Sequence, residues 1–288
     1  MAKNKPQSGK DAKPQMTSAQ RRAKLEAAKR SQERWQRTKR ILIGVVVVVV
    51  IIIVVAVIAA VANNKRQSDN ANATSGATAA QITPPNATTI SNGTQAIIAD
   101  PAAKDAPLTL DIHADYQCPN CKHAEMSLGQ GLSQLESQNQ VLVRYHLRTF
   151  LDGNLGNTSS SQAAMAATCA DTVGKFQAMN DVIFANQPTN EGTGYTTDQL
   201  RNTFATQAGI SGDDLTKYQT CFDDKATSNF VSTMEQSNLT TPVPGIDDYS
   251  TGVRGTPAFI INGKQLNWTE IPTDATSMLT YLEKIANS

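Results

Sequence analysis

The stretch DYQCPNCKHAE, residues 115–125, sets two cysteines three apart in a chain that owns only two others. A strand pattern runs into it: in LTLDIH, residues 108–113, Leu108, Leu110 and Ile112 alternate on one face. Pro119 then suits the first position of a helix reaching to about Leu135. That grammar puts Cys118 at a helix N-terminus, where unpaired N–H groups and the positive end of the dipole favour a thiolate. Cys121, one turn along, is expected to be the more buried thiol and to lie within disulfide reach. The pair therefore predicts redox chemistry, with Cys118 exchanging with a substrate and Cys121 resolving the mixed disulfide.

Other readings of the pair are a metal clamp and a structural staple. Structural zinc calls for four Cys or His ligands, usually with a second close pair. Here Cys169 and Cys221 stand far apart and there are only three histidines, His113, His123 and His146. No metal is therefore expected, with copper held by Cys118, Cys121 and a histidine kept as an alternative.

Beyond the motif, VLVRYHLRTF (141–150) reads as a strand. From about 158 to 240, SQAAMAATCAD, KFQAMNDVIFANQ, TTDQLRNTFATQAG and DDLTKYQTCF carry helical spacing between Gly- and Asn-containing breaks, a helical block. Strand character returns at PAFIING (257–263), where Asn262-Gly263 marks a tight hairpin before KQL. Residues 271–285 suit a closing helix, with Pro272 near its first turn. Cys169 and Cys221 fall in separate helices of the block. In an exported chain they are expected to form a structural disulfide.

Upstream, the first element is AIIAD, read as a short strand from residue 96. Residues 63–95, rich in Asn, Ala, Thr and Ser and lacking any aromatic, predict a flexible stalk. Residues 41–62, ILIGVVVVVVIIIVVAVIAAVA, are uncharged and apolar, about 33 Å long as a helix, and predict a transmembrane signal-anchor. A cleaved signal is the alternative, since Ala60-Val61-Ala62 looks like a cleavage site. Residues 1–40 hold thirteen Lys and Arg against three Asp and Glu, which by the positive-inside bias makes them a cytoplasmic leader and sends the rest outward. The remaining chain carries thirteen basic and twenty-two acidic residues, a net charge of −9, which argues against nucleic-acid binding.

The DYQCPNCK motif, the helical block, and Gly255-Thr256-Pro257-Ala258-Phe259 followed by IINGK resemble the DsbA-type thiol:disulfide oxidoreductases, over residues 96–288. The resemblance implies an α/β architecture, a thioredoxin-like fold with an inserted α-helical domain, of the membrane-tethered Gram-positive type. It implies that Pro257 is a cis-proline facing Cys118 and Cys121, that Thr256 lies beside them, and that Pro119, Asn120, Thr256 and Pro257 tune the site. It implies no cofactor, exported proteins with cysteine thiols as substrates, and a reoxidant, for instance a membrane protein. Oxidase activity is expected first, with reductase or isomerase activity, or a non-catalytic copper-binding metallochaperone module, as alternatives.

The sequence also departs from the family. Asn120 stands where strong oxidases carry His, so the thiolate has an amide rather than a charge beside it. The position six residues before Cys118, often an acid, is Ile112, with Asp111 and His113 on the other strand face. Asp115 reads as a turn or surface residue, and the three histidines as structural. Residues 240–253, TTPVPGIDDYSTGV, form a long loop before Gly255, read either as shaping substrate access or as a surface insertion.

Overall fold

The computed structural model describes residues 80–288. The basic leader 1–40, the apolar segment 41–62 and residues 63–79 of the expected stalk lie outside the described residues. Among those described, no helix is long and apolar enough to cross a membrane.

The strands are β1 (Ala87–Thr89), β2 (Gln95–Ile98), β3 (Leu108–Asp115), β4 (Val141–Arg148), β5 (Ala258–Ile261) and β6 (Lys264–Leu266). The helices are α1 (Pro119–Ser137), α2 (Phe150–Leu155), α3 (Ser159–Asp171), α4 (Phe176–Ala185), α5 (Phe204–Gln207, entered through a π-helical turn Gln199–Thr203), α6 (Gly212–Asp223), α7 (Ser228–Thr240) and α8 (Ala275–Ala286). The six strands form one sheet in the order β1-β2-β4-β3-β5-β6. Only β3 and β4 are parallel, in register from Leu108↔Val141 to Asp115↔Arg148. Helix α1 is the crossover that a parallel pair requires.

Strand alternation divides the sheet into two faces. Leu110, Ile112 and Ala114 of β3, with Val143, Tyr145 and Leu147 of β4, belong to the main core under α1 and α8. Gly131 lets those helices close, because a Cβ there would sit 2.7 Å from the Thr273 carbonyl and from the Met278 side chain. The other face carries polar groups: Arg144 Nε and Nη2 donate to Asp111, His146 bonds Asp111 at 2.9 Å, and His113 stacks on His146 with centroids 4.2 Å apart. Helix α7 covers the end of this face, where Glu235 pairs with the fully buried Arg148.

The structure corrects the extent of the stalk. Residues 80–95 belong to the folded unit: β1 pairs with β2, Ile82 N–H donates to the Ala226 carbonyl, and Gln81 Oε1 accepts from Ser228 and Asn229 at the start of α7. Asn86 adds two hydrogen bonds to the Asp171 carboxylate. Composition hid this because the segment is fixed largely by hydrogen bonds to distant residues, with Pro84 buried and Ala87 packed against the core.

Two smaller differences follow from capping. The closing helix starts at Ala275 rather than near 271, because Asp274 accepts from Ser277 N–H and sets its N-terminus. Pro272 lies before it. The 240–253 loop is packed: Ile246 and Val253 join Ala258 and Ile260 in a small second core, with Val243 and Tyr249 against it. Gly252 (φ 101°) is required there, since a Cβ would collide with the Leu239 carbonyl oxygen.

Candidate active site

Strand β3 ends at Asp115, Tyr116 and Gln117 turn the chain, and Cys118 occupies the N-cap of α1 in an extended conformation (φ −78°, ψ 118°) with Pro119 after it. The Cys118 carbonyl accepts from the N–H groups of Cys121 and Lys122, and the backbone N–H groups of Asn120 and Cys121 bear on the Cys118 sulfur. Both Cys118 and Cys121 are free thiols and buried, Cys121 the more so. The Thr256–Pro257 peptide bond is cis, and Cys118 Sγ donates to the Thr256 carbonyl at 3.4 Å. Pro257 lines a narrow crevice with Cys121. Pro119 and Asn120 are exposed at the tip of the helix.

The two thiols differ in acidity. Cys118 is lowered to about 6, chiefly because the Cys121 thiol hydrogen-bonds to it. Burial opposes that ionisation, while the Thr256 side chain and the backbone N–H groups of Cys121 and Asn120 favour it. Cys121 is pushed well above the ordinary thiol range by burial and by its neighbour Cys118. Near neutral pH the pair therefore holds a thiolate at the surface-proximal sulfur and a proton at the inner one, which is the division that ordered thiol exchange needs.

The insertion braces the motif from the other side. Gln187 Nε2 donates to the carbonyls of Tyr116 and Cys118, and Tyr195 Oη donates to the Tyr116 carbonyl. Lys122 Nζ in turn donates to the Gln187 carbonyl. Asp115 is fully buried rather than at the surface, which corrects the sequence expectation. Its carboxylate accepts from Ser160 Oγ, Gln117 N–H and Leu151 N–H. Burial nevertheless raises its pKa to about 7. Gln187, Tyr195 and Asp115 had no local signal in the sequence, because each acquires its role only when the helical block folds against the motif.

Cys169 of α3 and Cys221 of α6 are joined by a disulfide with Cα atoms 5.7 Å apart. His123 is exposed on α1, and His113 and His146 are buried on the opposite face of the sheet from the thiols. That face also carries a cavity of about 340 Å³ bounded by Asp111, Arg144 and the 240–253 loop. Among the described residues no cluster of three or more His, Cys, Asp or Glu side chains is arranged to hold a metal.

Residues 92–281 match the family described as Thioredoxin, and the chain belongs to that family. A second match, over residues 31–91, is to the family described as Carboxypeptidase Rv3627c-like, N-terminal domain. No curated protein matches the chain significantly. Among solved structures it is similar to DsbA from Mycobacterium tuberculosis, at 20% identity and a TM-score of 0.50, covering 72% of this chain and 94% of that one. DsbG from the same organism gives 20% identity and a TM-score of 0.49, covering 72% of this chain and 90% of that one. MdbA, a thiol-disulfide oxidoreductase from Corynebacterium diphtheriae, gives 16% and 0.49, covering 71% and 95%. The fold expected from the sequence resemblance, a thioredoxin-like α/β unit with inserted helices, is the fold observed.

Proposed function

We propose that the chain is a protein thiol:disulfide oxidoreductase that oxidises exported proteins. The observation that carries this reading is the asymmetry of the two thiols: Cys118, lowered to about 6, at a helix N-cap beside Thr256, and Cys121, buried and held protonated behind it. A client thiolate attacks Sγ of Cys118 in the oxidised pair, and the electrons of the broken S–S bond leave on Cys121. A second client thiolate then attacks the client sulfur of the mixed disulfide, which releases an oxidised client and a reduced pair. An oxidant of membrane or small-molecule kind reoxidises it.

Stabilising the Cys118 thiolate stabilises the reduced protein, which makes the disulfide a better oxidant. Asn120 contributes no charge to that stabilisation, and this feature favours a reductase or isomerase as the second reading. Equilibrating the protein with glutathione separates the two: a potential well above about −270 mV supports oxidation, and one near it supports reduction. Oxidative refolding of a reduced ribonuclease tests the chemistry itself. The wild type is expected to accelerate it and Cys118→Ala to abolish the effect. Tight copper uptake dependent on both cysteines, without any exchange activity, would replace this reading with a metallochaperone.

The reading includes location. The apolar segment 41–62 and the basic leader 1–40 support a single-pass membrane protein whose N-terminus is cytoplasmic and whose thiols face outward. Labelling of Cys118 in intact cells by a membrane-impermeant thiol reagent is expected once the pair has been reduced with a membrane-impermeant reductant. Labelling only after lysis would overturn that orientation.

A further inference from the structure

The polar face of the sheet and the 240–253 loop bound a cavity of about 340 Å³, on the side of the sheet away from the thiols. Its floor is Asp111 and His113 of β3 with Arg144 and His146 of β4. The loop adds an aliphatic wall through Val243, Pro244 and Val253, and the exposed Ser91 and Asn262 stand at the rim. We propose that this cavity binds a small organic monocarboxylate, its charged end on Arg144 and its apolar body against the 240–253 loop. The proposal is independent of the thiol-exchange reading, because none of the residues lining the cavity belongs to that site.

The charges of the floor favour an anion. Arg144 Nε and Nη2 donate to the two oxygens of Asp111 at 2.8 and 2.6 Å, a two-point grip that fixes the plane of the guanidinium. Its third nitrogen, Nη1, bonds no other group among the described residues, and the side chain is 20% exposed. Asp111 is the one carboxylate among the described lining residues. Burial opposes its ionisation, but His146 and Arg144 outweigh burial and hold it below the usual carboxylate range. His146 itself faces two acceptors, the Gln95 carbonyl at Nδ1 and Asp111 at Nε2, an arrangement satisfied when both ring nitrogens carry protons. Two cations then flank one carboxylate, and that carboxylate is already engaged by both. A bound cation would find no open ligand here, whereas an anion finds the free edge of Arg144.

His113 shows that the wall is built for a polar guest. Burial, and then the charges of His146 and Arg148, push it well below the usual histidine range, so the ring is neutral. It is only 3% exposed, yet its Nδ1 has no hydrogen-bond partner. Buried polar atoms are rarely left unsatisfied, and one in a cavity wall distinguishes a binding site from a gap in apolar packing.

Size and donor count narrow the class. Ligand pockets run from about 300 to 1,000 Å³, so this one suits a small molecule. Phosphate groups are ordinarily met by a helix N-terminus or by several cations. Here one guanidinium nitrogen is open, and the Asn262 amide, whose oxygen accepts from the Thr109 N–H, keeps its Nδ2 as a second donor at the rim. That set matches the two oxygens of a single carboxylate. Ile90 and Ile260 extend the aliphatic wall for the rest of the molecule.

Ligand-observed NMR on full-length protein, with protein-free micelles as the blank, tests the site using butyrate, benzoate and phenylacetate. At least one of these is expected to bind saturably, and its neutral amide about tenfold more weakly or less. Arg144→Gln is expected to weaken the carboxylate by about tenfold or more, and Arg144→Lys to recover part of the loss. Val243→Trp fills the cavity while keeping Arg144, and is expected to abolish binding. Alkylation of Cys118 at the wild-type rate in each variant shows that the fold is intact.

Failure of all three carboxylates to bind the wild type overturns the proposal. So does an amide that binds as well as its acid, or wild-type affinity in Arg144→Gln. Should Arg144→Gln fail to fold because Asp111 loses its partner, unchanged binding in Val243→Trp overturns the proposal in its place.

Discussion

Cys118 draws its acidity from donors within a few ångströms, and that makes its behaviour local and measurable. Its alkylation rate against pH is expected to inflect near 6, with Cys121 unreactive throughout. Asn120→His places an imidazolium at the same exposed tip, and the inflection is expected to fall by about one unit while the charge persists. The lowered thiol also ties stability to pH. Its folded pKa lies below the ordinary value of 9.0, so the stabilisation of the reduced protein is complete above that value and disappears as pH falls through about 6. The difference in denaturation midpoint between reduced wild type and Cys118→Ala, measured from pH 5 to 9, reports it. Cys118 and Cys121 could be named from the sequence because helix-start chemistry is written in adjacent residues, and Thr256 and Pro257 through the family resemblance of the Gly-Thr-Pro stretch. Asp115 and Gln187 could not, since nothing near Asp115 announces Ser160 and nothing near Gln187 announces the Cys118 carbonyl.

At the scale of elements, two cross-links hold the insertion to the sheet and to itself. The Cys169–Cys221 bridge closes a separation of 52 residues between α3 and α6. Its loss in a Cys169→Ala/Cys221→Ala variant is expected to cost about 4 kcal/mol in urea unfolding, with the Cys118 inflection unchanged. The second link is ionic: Arg148 at the end of β4 donates to Glu235 of α7, and its remaining nitrogen donates to the Val253 carbonyl of the loop that leads to Gly255. Glu235→Ala strands a fully buried guanidinium and is expected to destabilise the protein by about 3–5 kcal/mol, again read by denaturant unfolding. Strands β3 and β4 and the Asn262-Gly263 hairpin were legible because alternation and turn chemistry are short-range signals. Strand β1 was not. Ala87–Thr89 has too little apolar character to announce a strand and exists because β2 offers it an edge.

For the molecule as a whole, Ala79–Ser288 forms one compact unit, and a chain beginning at Ala79 is expected to fold with wild-type cooperativity. Removing residues through Ser91 as well deletes β1, the Gln81 contacts at α7 and both Asn86 bonds to Asp171, which is expected to cost about 1–3 kcal/mol. Thermal unfolding of the two truncations distinguishes a boundary at 79 from one at 96. The disulfide between α3 and α6 carries a further consequence. On the proposed activity, a newly exported copy is itself a substrate for copies already mature, because its insertion arrives with two unpaired thiols that the same chemistry joins. Maturation then feeds on its own product: it is slow when the protein is scarce and accelerates as finished molecules accumulate. A population of Cys118→Ala chains, lacking that seed, should accumulate Cys169 and Cys221 as thiols until wild-type protein is supplied.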